Sequence, residues 1–159
     1  MLDLDSNSAL VSDTEVPEGH YEDESMKDTV VYGRNLIFAA VGASYAENIG
    51  ADSIWLGVHS GDHAIYPDCR PEFVEALKQV ISASTDNKLT VETPYLHGNK
   101  ESILRDGATL DVDYSLTTTC YNGREKACGK CDSCVLRLNG FKEAGFRDPI
   151  EYENEIQNQ

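Results

Sequence analysis

The spacing of hydrophobic and polar residues predicts a helix over residues 35–49. Apolar side chains in this stretch recur at intervals that place them on one helical face, and Gly50 stands where a capping glycine is expected. The apolar face consists of Leu36, Ile37, Ala40, Val41, Ala43 and Ala46. The residues before it show little hydrophobic periodicity, so this helix is the first regular element that the pattern predicts.

A continuous apolar run over residues 53–58 predicts the first strand. Gly and polar residues bound the run, a form that is typical of a strand buried on both faces of a parallel sheet. A second strand is predicted over Leu89–Thr93, and Pro94 stops it.

Helical patterns alternate with these strands, and a further helix closes the chain. One helix begins at Pro71, a residue suited to the first helical position, and carries an amphipathic apolar set. That set is Phe73, Val74, Leu77, Val80 and Ile81. The next helix runs from about Asn99 to Arg105 and ends at Gly107, and the closing helix spans about Cys134–Phe141. The alternation predicts an α/β fold built on a parallel sheet with crossovers.

Two loops leave the carboxyl ends of the predicted strands, where parallel sheets bind ligands. They span residues 59–70 and 94–100. The first gathers the chemically active side chains His59, Asp62, His63, Tyr66, Asp68, Cys69 and Arg70. We expect this cluster to be functional, although single members can serve surface or capping roles. Asp68, for example, can cap the helix that begins at Pro71.

The acidic charge of the chain argues against a nucleic-acid partner. With 28 Asp and Glu against 13 Lys and Arg, the chain carries a formal charge of −15, which repels phosphate backbones. No apolar run approaches the roughly 20 residues of a bilayer span, and the sequence starts without the features of a secretory signal. We therefore expect no membrane partner and a cytoplasmic, reducing compartment, in which cysteines serve as ligands or thiols.

Length and charge distribution together predict one domain with polar flanks. The 159 residues suffice for a single core. Residues 1–30 hold nine acids and one base without a hydrophobic period, so we expect an acidic, solvated lead-in that orders only against other structure. Residues 31–150 form the predicted α/β domain, and residues 151–159 a polar tail.

Four of the five cysteines form a C-x7-C-x2-C-x2-C pattern, the predicted zinc loop of residues 120–134. The four are Cys120, Cys128, Cys131 and Cys134. Four thiolates at this spacing can enclose a tetrahedral Zn²⁺, and a shell closed by four protein ligands makes the metal structural. Nearby bases can offset the negative charge of such a centre: Arg124, Lys126, Lys130 and Arg137. An iron–sulfur cluster and unmetallated thiols are the alternative interpretations.

Three longer motifs resemble those of the 7-cyano-7-deazaguanine synthase family. They are Tyr66-Pro67-Asp68-Cys69-Arg70-Pro71-Glu72-Phe73, Thr119-Cys120-Tyr121-Asn122-Gly123 and Cys128-Gly129-Lys130-Cys131-Asp132-Ser133-Cys134. Shorter matches follow the family's order: Arg34-Asn35, Glu92-Thr93-Pro94, Lys100 and Arg137-Leu138-Asn139-Gly140. The resemblance runs from about Val16 to Phe141, which is nearly the whole chain.

This resemblance implies a Rossmann-like, adenine-nucleotide alpha-hydrolase-like fold and an ATP-dependent carbon–nitrogen ligase. Members of the family act in the pathway to 7-deazaguanines such as queuosine and archaeosine. They activate the carboxylate of 7-carboxy-7-deazaguanine with ATP, let ammonia form an amide, and use ATP again to dehydrate the amide to a nitrile. The implied cofactors are a structural Zn²⁺ and ATP, with Mg²⁺, as co-substrate.

Carried onto this sequence, the resemblance assigns the four cysteines of the zinc loop as metal ligands. The residues that it places in catalytic roles are Arg34, Asp62, Asp68 and Arg70. The two arginines can hold phosphate or the substrate carboxylate bidentately, and the two aspartates can accept hydrogen bonds from a guanine-like edge. The residues that it places in substrate-binding roles are Asn35, His59, Tyr66 and Lys100.

The family's nucleotide-binding loop has no counterpart in this sequence. Members carry a Ser-Gly-Gly-x-Asp-Ser loop at a helix N-terminus, where backbone amides bind pyrophosphate. Alone, the chain is therefore not expected to bind ATP as the family does. Three interpretations follow: the C-terminal part of a split synthase whose nucleotide loop comes from a second polypeptide, a catalytically inactive fragment, or a zinc-stabilised deazaguanine-binding module.

A parallel sheet without its first strands exposes apolar edges and faces. We therefore expect the chain to form a homo-oligomer or a hetero-oligomer with a partner polypeptide. Its small-molecule partners, by the same resemblance, are 7-carboxy-7-deazaguanine and ammonia.

Overall fold

The computed structural model describes residues 8–18 and 24–153. The chain divides into two compact units. We call Tyr32–Gly98 the sheet unit, and we call Met1–Val31 together with Asn99–Gln159 the cysteine unit. The sequence-based division into a lead-in, one domain and a tail stays a prediction.

The sheet unit is a parallel α/β structure, as the alternating pattern predicts. Its helices and strands are α1 (Arg34–Ile49), β1 (Ser53–Trp55), α2 (Pro71–Ser84) and β2 (Thr90–Glu92). The two strands pair in parallel with Ile54 opposite Val91. Short 3-10 helices at Ser60–Asp62 and Pro67–Cys69 lie in the loop between β1 and α2.

Alanines of α1 form the inner face of the sheet unit. Ala39, Ala43 and Ala46 are buried and pack in one cluster with side chains of α2 and of the second strand. Those side chains are Leu77, Ile81, Leu89 and Val91. Because alanine side chains are small, the backbone of α1 lies close to the sheet.

The predicted apolar face of α1 is therefore partly wrong. Leu36, Ala40 and Val41 are exposed, and Ala39 takes a place in the core that the pattern did not assign to it. The reason is that α1 is apolar on more than one side, so helical spacing alone does not identify the buried side. The predicted end is confirmed, because Gly50 caps the helix with φ 70°.

The first strand is shorter and less covered than its sequence predicts. β1 comprises only Ser53–Trp55, and the Trp55 side chain is 68% exposed. The expectation of burial on both faces is wrong for this structure. Its Ile54 packs on the core, whereas Trp55, the next residue along, points to the opposite face of the sheet.

The cysteine unit is built on two packed helices. Its helices are α3 (Lys100–Thr109) and α4 (Asp132–Ala144), with 3-10 helices at Glu24–Thr29 and Tyr114–Leu116. A capping box of Asn99 and Ser102 begins α3. This helix continues past Gly107 to Thr109, so the predicted end at Gly107 is wrong. The reason is that Gly107 packs against the Tyr114 ring inside the helix instead of capping it.

Part of the acidic lead-in is built into the cysteine unit. Met26 and Thr29 of the first 3-10 helix are fully buried, whereas the other residues of this helix are exposed. The backbone amide of Ala9 donates to the carbonyl oxygen of Asp28 over 2.7 Å. Within residues 8–18 and 24–153, no helix combines the length and the apolar composition that crossing a membrane requires.

Candidate functional site

The four cysteines of the zinc loop meet at one point of the cysteine unit. Their sulfur atoms all lie within 4.8 Å of one another, and three of the four residues are buried. A tetrahedral zinc with Zn–S bonds of about 2.3 Å separates its sulfurs by about 3.8 Å. The Sγ atoms of Cys128 and Cys134 are 3.9 Å apart. The cluster therefore has the dimensions of a four-sulfur metal site.

Backbone amides around the cluster point at its sulfur atoms. The amides of Lys130 and Cys131 approach the Sγ of Cys128 at 3.4 and 3.2 Å, and the Cys128 amide approaches the Sγ of Cys120 at 3.4 Å. Such donors stabilise thiolate over thiol. A hydrogen bond from the Cys134 thiol, with backbone donors, lowers the pKa of Cys131 to about 5. The site thus favours a thiolate at Cys131, whereas the hydrogen bond to Cys131 and burial raise the pKa of Cys134 above its ordinary value.

Two backbone pairings hold the cluster from either side. Glu18 forms an antiparallel bridge with Cys131, and Ala127 forms a parallel bridge with Tyr152. The Ala127 amide donates to the Glu151 carbonyl oxygen at 3.0 Å, and the Glu153 amide donates to the Ala127 carbonyl oxygen at 2.9 Å. Segments distant in sequence therefore fix the shape of the zinc loop.

Each of the four bases predicted to offset the charge of the cluster has a carboxylate partner. The pairs are Arg124 with Glu153, Lys126 with Glu151, Lys130 with Glu18, and Arg137 with Asp148. The first three are exposed and the fourth is buried. The bases therefore serve first to attach the flanking segments to the zinc loop, which the charge argument did not anticipate.

Arg137 on α4 is the centre of a buried polar network beside the cluster. Its Nε and Nη2 donate to the two carboxylate oxygens of Asp148 at 2.7 and 2.9 Å, a bidentate pair. Its Nη1 donates to Thr117 Oγ1 at 2.8 Å, and its Nη2 also donates to the Tyr114 carbonyl oxygen at 3.2 Å. The Tyr152 hydroxyl donates to Asp148 at 2.6 Å.

Asp148 and Tyr152 are residues that the sequence analysis missed. The signal that points to them is Arg137 itself, since an arginine on the inner side of a helix requires a buried carboxylate. Burial, with the neighbouring Asp148, raises the pKa of Tyr152 above its ordinary value. Its hydroxyl therefore stays protonated and serves as a donor.

A second group of candidate residues meets in the sheet unit, at the start of α1. The Asn35 amide donates to Asp68 Oδ2 at 3.0 Å, and the Asn35 Nδ2 donates to the Asp68 carbonyl oxygen at 2.9 Å. The Nδ2 group also lies 3.3 Å from the Sγ of Cys69. The guanidinium of Arg34 lies 6.0 Å from the centre of the Tyr66 ring. The structure thus joins the Arg34-Asn35 pair to the 59–70 loop.

Asp68 caps a different helix from the one predicted. Its carboxylate accepts from the first turn of α1, not from α2, whose N-cap Arg70 makes no side-chain capping bond. The physical reason lies at Gly33, the N-cap of α1, which has no side chain to satisfy the free amides of the first turn. A carboxylate there also interacts favourably with the positive end of the helix dipole.

His59 and Asp62 form a pair within the same loop. The buried His59 accepts the Gly61 amide at Nδ1 over 3.1 Å, and its Nε2 lies 3.4 Å from Asp62 Oδ2. Because Nδ1 accepts a hydrogen bond, the proton of the neutral imidazole lies on Nε2 and faces the carboxylate. His59 thereby orients Asp62.

Arg70 and Cys69 have structural partners in this loop. Arg70 donates from Nε to the His63 carbonyl oxygen at 2.8 Å and from Nη2 to the Ala64 carbonyl oxygen at 3.4 Å. Burial and the charges of Asp62 and Asp68 raise the pKa of Cys69 to about 12, so its thiol is protonated at neutral pH. The loop therefore presents carboxylates beside Arg34 of α1, and not a nucleophilic thiolate.

Lys100 belongs to the other unit. It is the first residue of α3, and its aliphatic stem packs on Gly140 of α4. Of the eight residues given catalytic or substrate-binding roles, the other seven lie in the sheet unit: Arg34, Asn35, His59, Asp62, Tyr66, Asp68 and Arg70. Their individual roles stay predictions.

Comparisons with known proteins match nearly the whole chain. A family model described as queuosine biosynthesis protein QueC matches residues 1–145. A 7-cyano-7-deazaguanine synthase of Alteromonas mediterranea is 53% identical over 150 residues, which is 94% of this chain and 69% of the relative. The 7-cyano-7-deazaguanine synthase 1 of Colwellia psychrerythraea is 53% identical over 93% of this chain and 68% of the relative. A synthase of the same name from Marinomonas sp. is 50% identical, with 94% and 68% covered.

Proposed function

The chain belongs to the family of queuosine biosynthesis protein QueC, and on that premise we propose that it contributes to ATP-dependent synthesis of 7-cyano-7-deazaguanine. The observation that carries this proposal is the 53% identity to a synthase of that name over 94% of this chain. The substrates are 7-carboxy-7-deazaguanine and ammonia, and the compartment is the cytoplasm.

The chemistry requires activation of a carboxylate, because its oxygen is a poor leaving group. The carboxylate would attack the α-phosphate of ATP and release pyrophosphate, and ammonia would then displace the nucleotide monophosphate and lose a proton to give the amide. The amide oxygen would attack a second ATP in the same way, and it would leave with the nucleotide monophosphate as the nitrogen loses its protons and the nitrile forms. A site for these steps must hold an anionic acid and exclude water from the activated acyl group.

Arg34 is the residue that we assign to the substrate carboxylate or to phosphate. It stands at the N-terminal end of α1, beside the Tyr66 ring, whereas Arg70 uses two of its guanidinium nitrogens on backbone carbonyls. An arginine at a helix N-terminus adds its charge to that of the helix dipole, and both attract anions. Arg70 then stabilises the shape of the loop.

Asp62 and Asp68 are assigned to the purine-like edge of the substrate. A 7-deazaguanine presents ring N–H and amino donors, for which carboxylates are the matching acceptors. Asp62 is oriented by His59, and Asp68 is held by the start of α1 through Asn35. Both acceptors are thereby fixed before substrate arrives.

Zinc is the metal that we assign to the cysteine cluster. Four sulfur donors match the ligand preference of Zn²⁺, and four protein ligands complete its tetrahedron. A complete shell leaves no position for substrate, so the metal is structural. When bound, it joins the zinc loop to α4 through Cys131 and Cys134.

A second polypeptide supplies the nucleotide loop in this proposal. The sequence contains no Ser-Gly-Gly-x-Asp-Ser segment to bind the phosphates of ATP and its Mg²⁺. We therefore propose a hetero-oligomer in which this chain holds the acid substrate and the partner holds the nucleotide.

Calorimetric titration of the full chain with 7-carboxy-7-deazaguanine tests the assignment of the substrate. We expect saturable binding that Arg34→Ala weakens by about tenfold or more, since it removes a charge-assisted contact. Arg147→Ala, which removes an exposed arginine of the cysteine unit, is the matched control and should bind as the parent does. Equal binding by both variants, or none by the parent, would overturn the proposal.

A further inference from the structure

Helix α1 has a second apolar stripe that faces solvent. Phe38, Val41, Tyr45 and Ile49 follow one another at intervals of three and four residues, so they lie along one side of the helix. Their side chains are between 61% and 66% exposed. We call these four residues the outer stripe.

The outer stripe is separate from the face of α1 that packs in the sheet unit. That inner face consists of Ala39, Ala43 and Ala46, all at most 5% exposed. A surface helix of a monomer normally has one apolar stripe and a polar opposite side. The larger side chains of α1 are on the exposed side, which indicates that this side is covered in the functional assembly.

The sheet of this unit also has an unpaired edge and an exposed tryptophan. Within the described part of the sheet unit, β1 pairs with β2 alone, so its other edge is unpaired. Trp55 on this strand is 68% exposed, although parallel sheets are normally covered on both faces. α1 packs on β1 through its inner face, so the outer stripe and Trp55 are two separate exposed apolar surfaces of the same unit.

The relatives contain chain that could cover these surfaces. The matched regions amount to 69% of the Alteromonas mediterranea synthase and 68% of the Colwellia psychrerythraea synthase. Close to a third of each relative therefore has no counterpart in this sequence. That length is enough for additional strands and helices of one α/β layer.

We propose that the outer stripe and Trp55 form the docking surface for a polypeptide equivalent to this unmatched third of the relatives. The occupant extends the sheet beyond β1 and packs an apolar helix face against the outer stripe. This inference rests on the proposed function, whose second polypeptide it places on a named surface. Charge favours such a partner over a second copy, because two copies bring together chains of −15 each.

The experiment uses the full chain and, as the probe, the unmatched part of the Alteromonas mediterranea synthase produced as a separate polypeptide. Trp55 is the only tryptophan of the chain, so a probe in which any tryptophan is replaced by phenylalanine leaves its emission as the signal. Docking should shift this emission to shorter wavelength. The same two sequences joined by a flexible linker provide a second measurement that does not depend on the solubility of the separate probe.

Variants on the two helices make the test specific. Val41→Glu and Tyr45→Glu on the outer stripe should each weaken docking by about tenfold or more. Val80→Glu is the matched control, because Val80 is a 58% exposed apolar residue of α2 in the same unit. Circular dichroism should be the same for all three, since every changed side chain is exposed.

Three results would overturn this inference: no emission shift with either the separate or the joined probe, equal loss with Val80→Glu, or self-association of the chain that the outer-stripe variants abolish. No substrate or nucleotide is present in the measurement. Docking without binding of 7-carboxy-7-deazaguanine would therefore contradict the proposed function alone, and substrate binding without docking would contradict this inference alone.

Discussion

Arg137 is the single residue on which most of the packing around the cysteine cluster depends. It joins α4 to Asp148 by two hydrogen bonds and to Thr117 by a third. Both charged side chains are nearly or fully inaccessible to solvent. A buried ion pair of this kind contributes modestly when intact, but the loss of one partner leaves an uncompensated charge.

Arg137→Met should therefore lower the free energy of unfolding by about 3–5 kcal/mol, because Asp148 is left buried and charged. Urea denaturation measures the change. Arg105→Met, which breaks the exposed pair with Glu101, should cost at most about 1 kcal/mol. The double variant Arg137→Met with Asp148→Leu should recover part of the loss. Equal effects of the two single variants would contradict this account of Arg137.

Cys69 should react with alkylating reagents much more slowly than Cys131. Its pKa is raised to about 12 from an ordinary value of 9.0, which lowers its thiolate fraction about a thousandfold at neutral pH. After the metal is removed by a chelator, iodoacetamide should modify Cys131 before Cys69, and peptide mass spectrometry locates the adducts. Modification of Cys69 at the rate of Cys131 would show that its thiol is not buried as described.

At the scale of elements, two helical glycines test whether the helices pack as described. A Cβ added to Gly140 on α4 would lie 2.9 Å from the Cβ of Lys100, whereas a Cβ added to Gly42 on α1 would meet nothing within 4 Å. α3 and α4 therefore approach each other through Gly140.

Gly140→Ala should destabilise the protein, and Gly42→Ala should stabilise it. The first forces α3 and α4 apart, at a cost of about 1–3 kcal/mol. The second gains up to about 1 kcal/mol of helix propensity. Thermal unfolding followed by circular dichroism compares the two. A melting temperature that rises with Gly140→Ala would contradict the contact between α3 and α4.

The sequence pattern predicts where the helices and strands lie better than it predicts which of their sides are buried. The range of α1, the start of α2 and the range of the second strand are close to those observed, because Gly50, Pro71 and Pro94 mark them locally, whereas β1 ends three residues before its predicted end. The inner face of α1 was mispredicted, since Leu36 and Val41 look more like core residues than Ala39 does. Burial depends on which neighbours are present, and a local pattern does not contain that information.

The candidate site was predictable only where its residues lie close together in the sequence. Four closely spaced cysteines identify a metal site without knowledge of the fold, since all its ligands lie in one segment. The partners that hold the zinc loop are far from it in sequence, and Glu18, Asp148 and Tyr152 were therefore missed. Asp68 was assigned to the nearest helix, whereas the fold brings it to α1.

At the scale of the whole molecule, the metal links loop and helix of the cysteine unit. Cys120 and Cys128 lie in the zinc loop, Cys131 is the N-cap of α4, and Cys134 is in its first turn. A metal bound by all four therefore fixes the start of α4 relative to the loop. Its binding free energy becomes part of the folding free energy of the unit.

The stability of the cysteine unit should accordingly depend on pH and metal. The pKa of Cys131 is lowered from 9.0 to about 5, so the stability that its thiolate contributes increases up to pH 9.0 and is lost as the pH falls through about 5. Bound metal lowers the thiol pKa further and moves the loss to more acidic pH. A zinc-sensitive dye, read together with circular dichroism, should show release and unfolding at the same pH. Release that leaves stability unchanged would contradict a structural metal.

The direct test of the whole account is production of the nitrile. The zinc-loaded chain is incubated with 7-carboxy-7-deazaguanine, ammonia and ATP, with and without the unmatched part of the Alteromonas mediterranea synthase, and mass spectrometry follows 7-cyano-7-deazaguanine. We expect product only when both polypeptides are present. Product from the chain alone would contradict the need for a second polypeptide, and no product from the two together would contradict the synthase function.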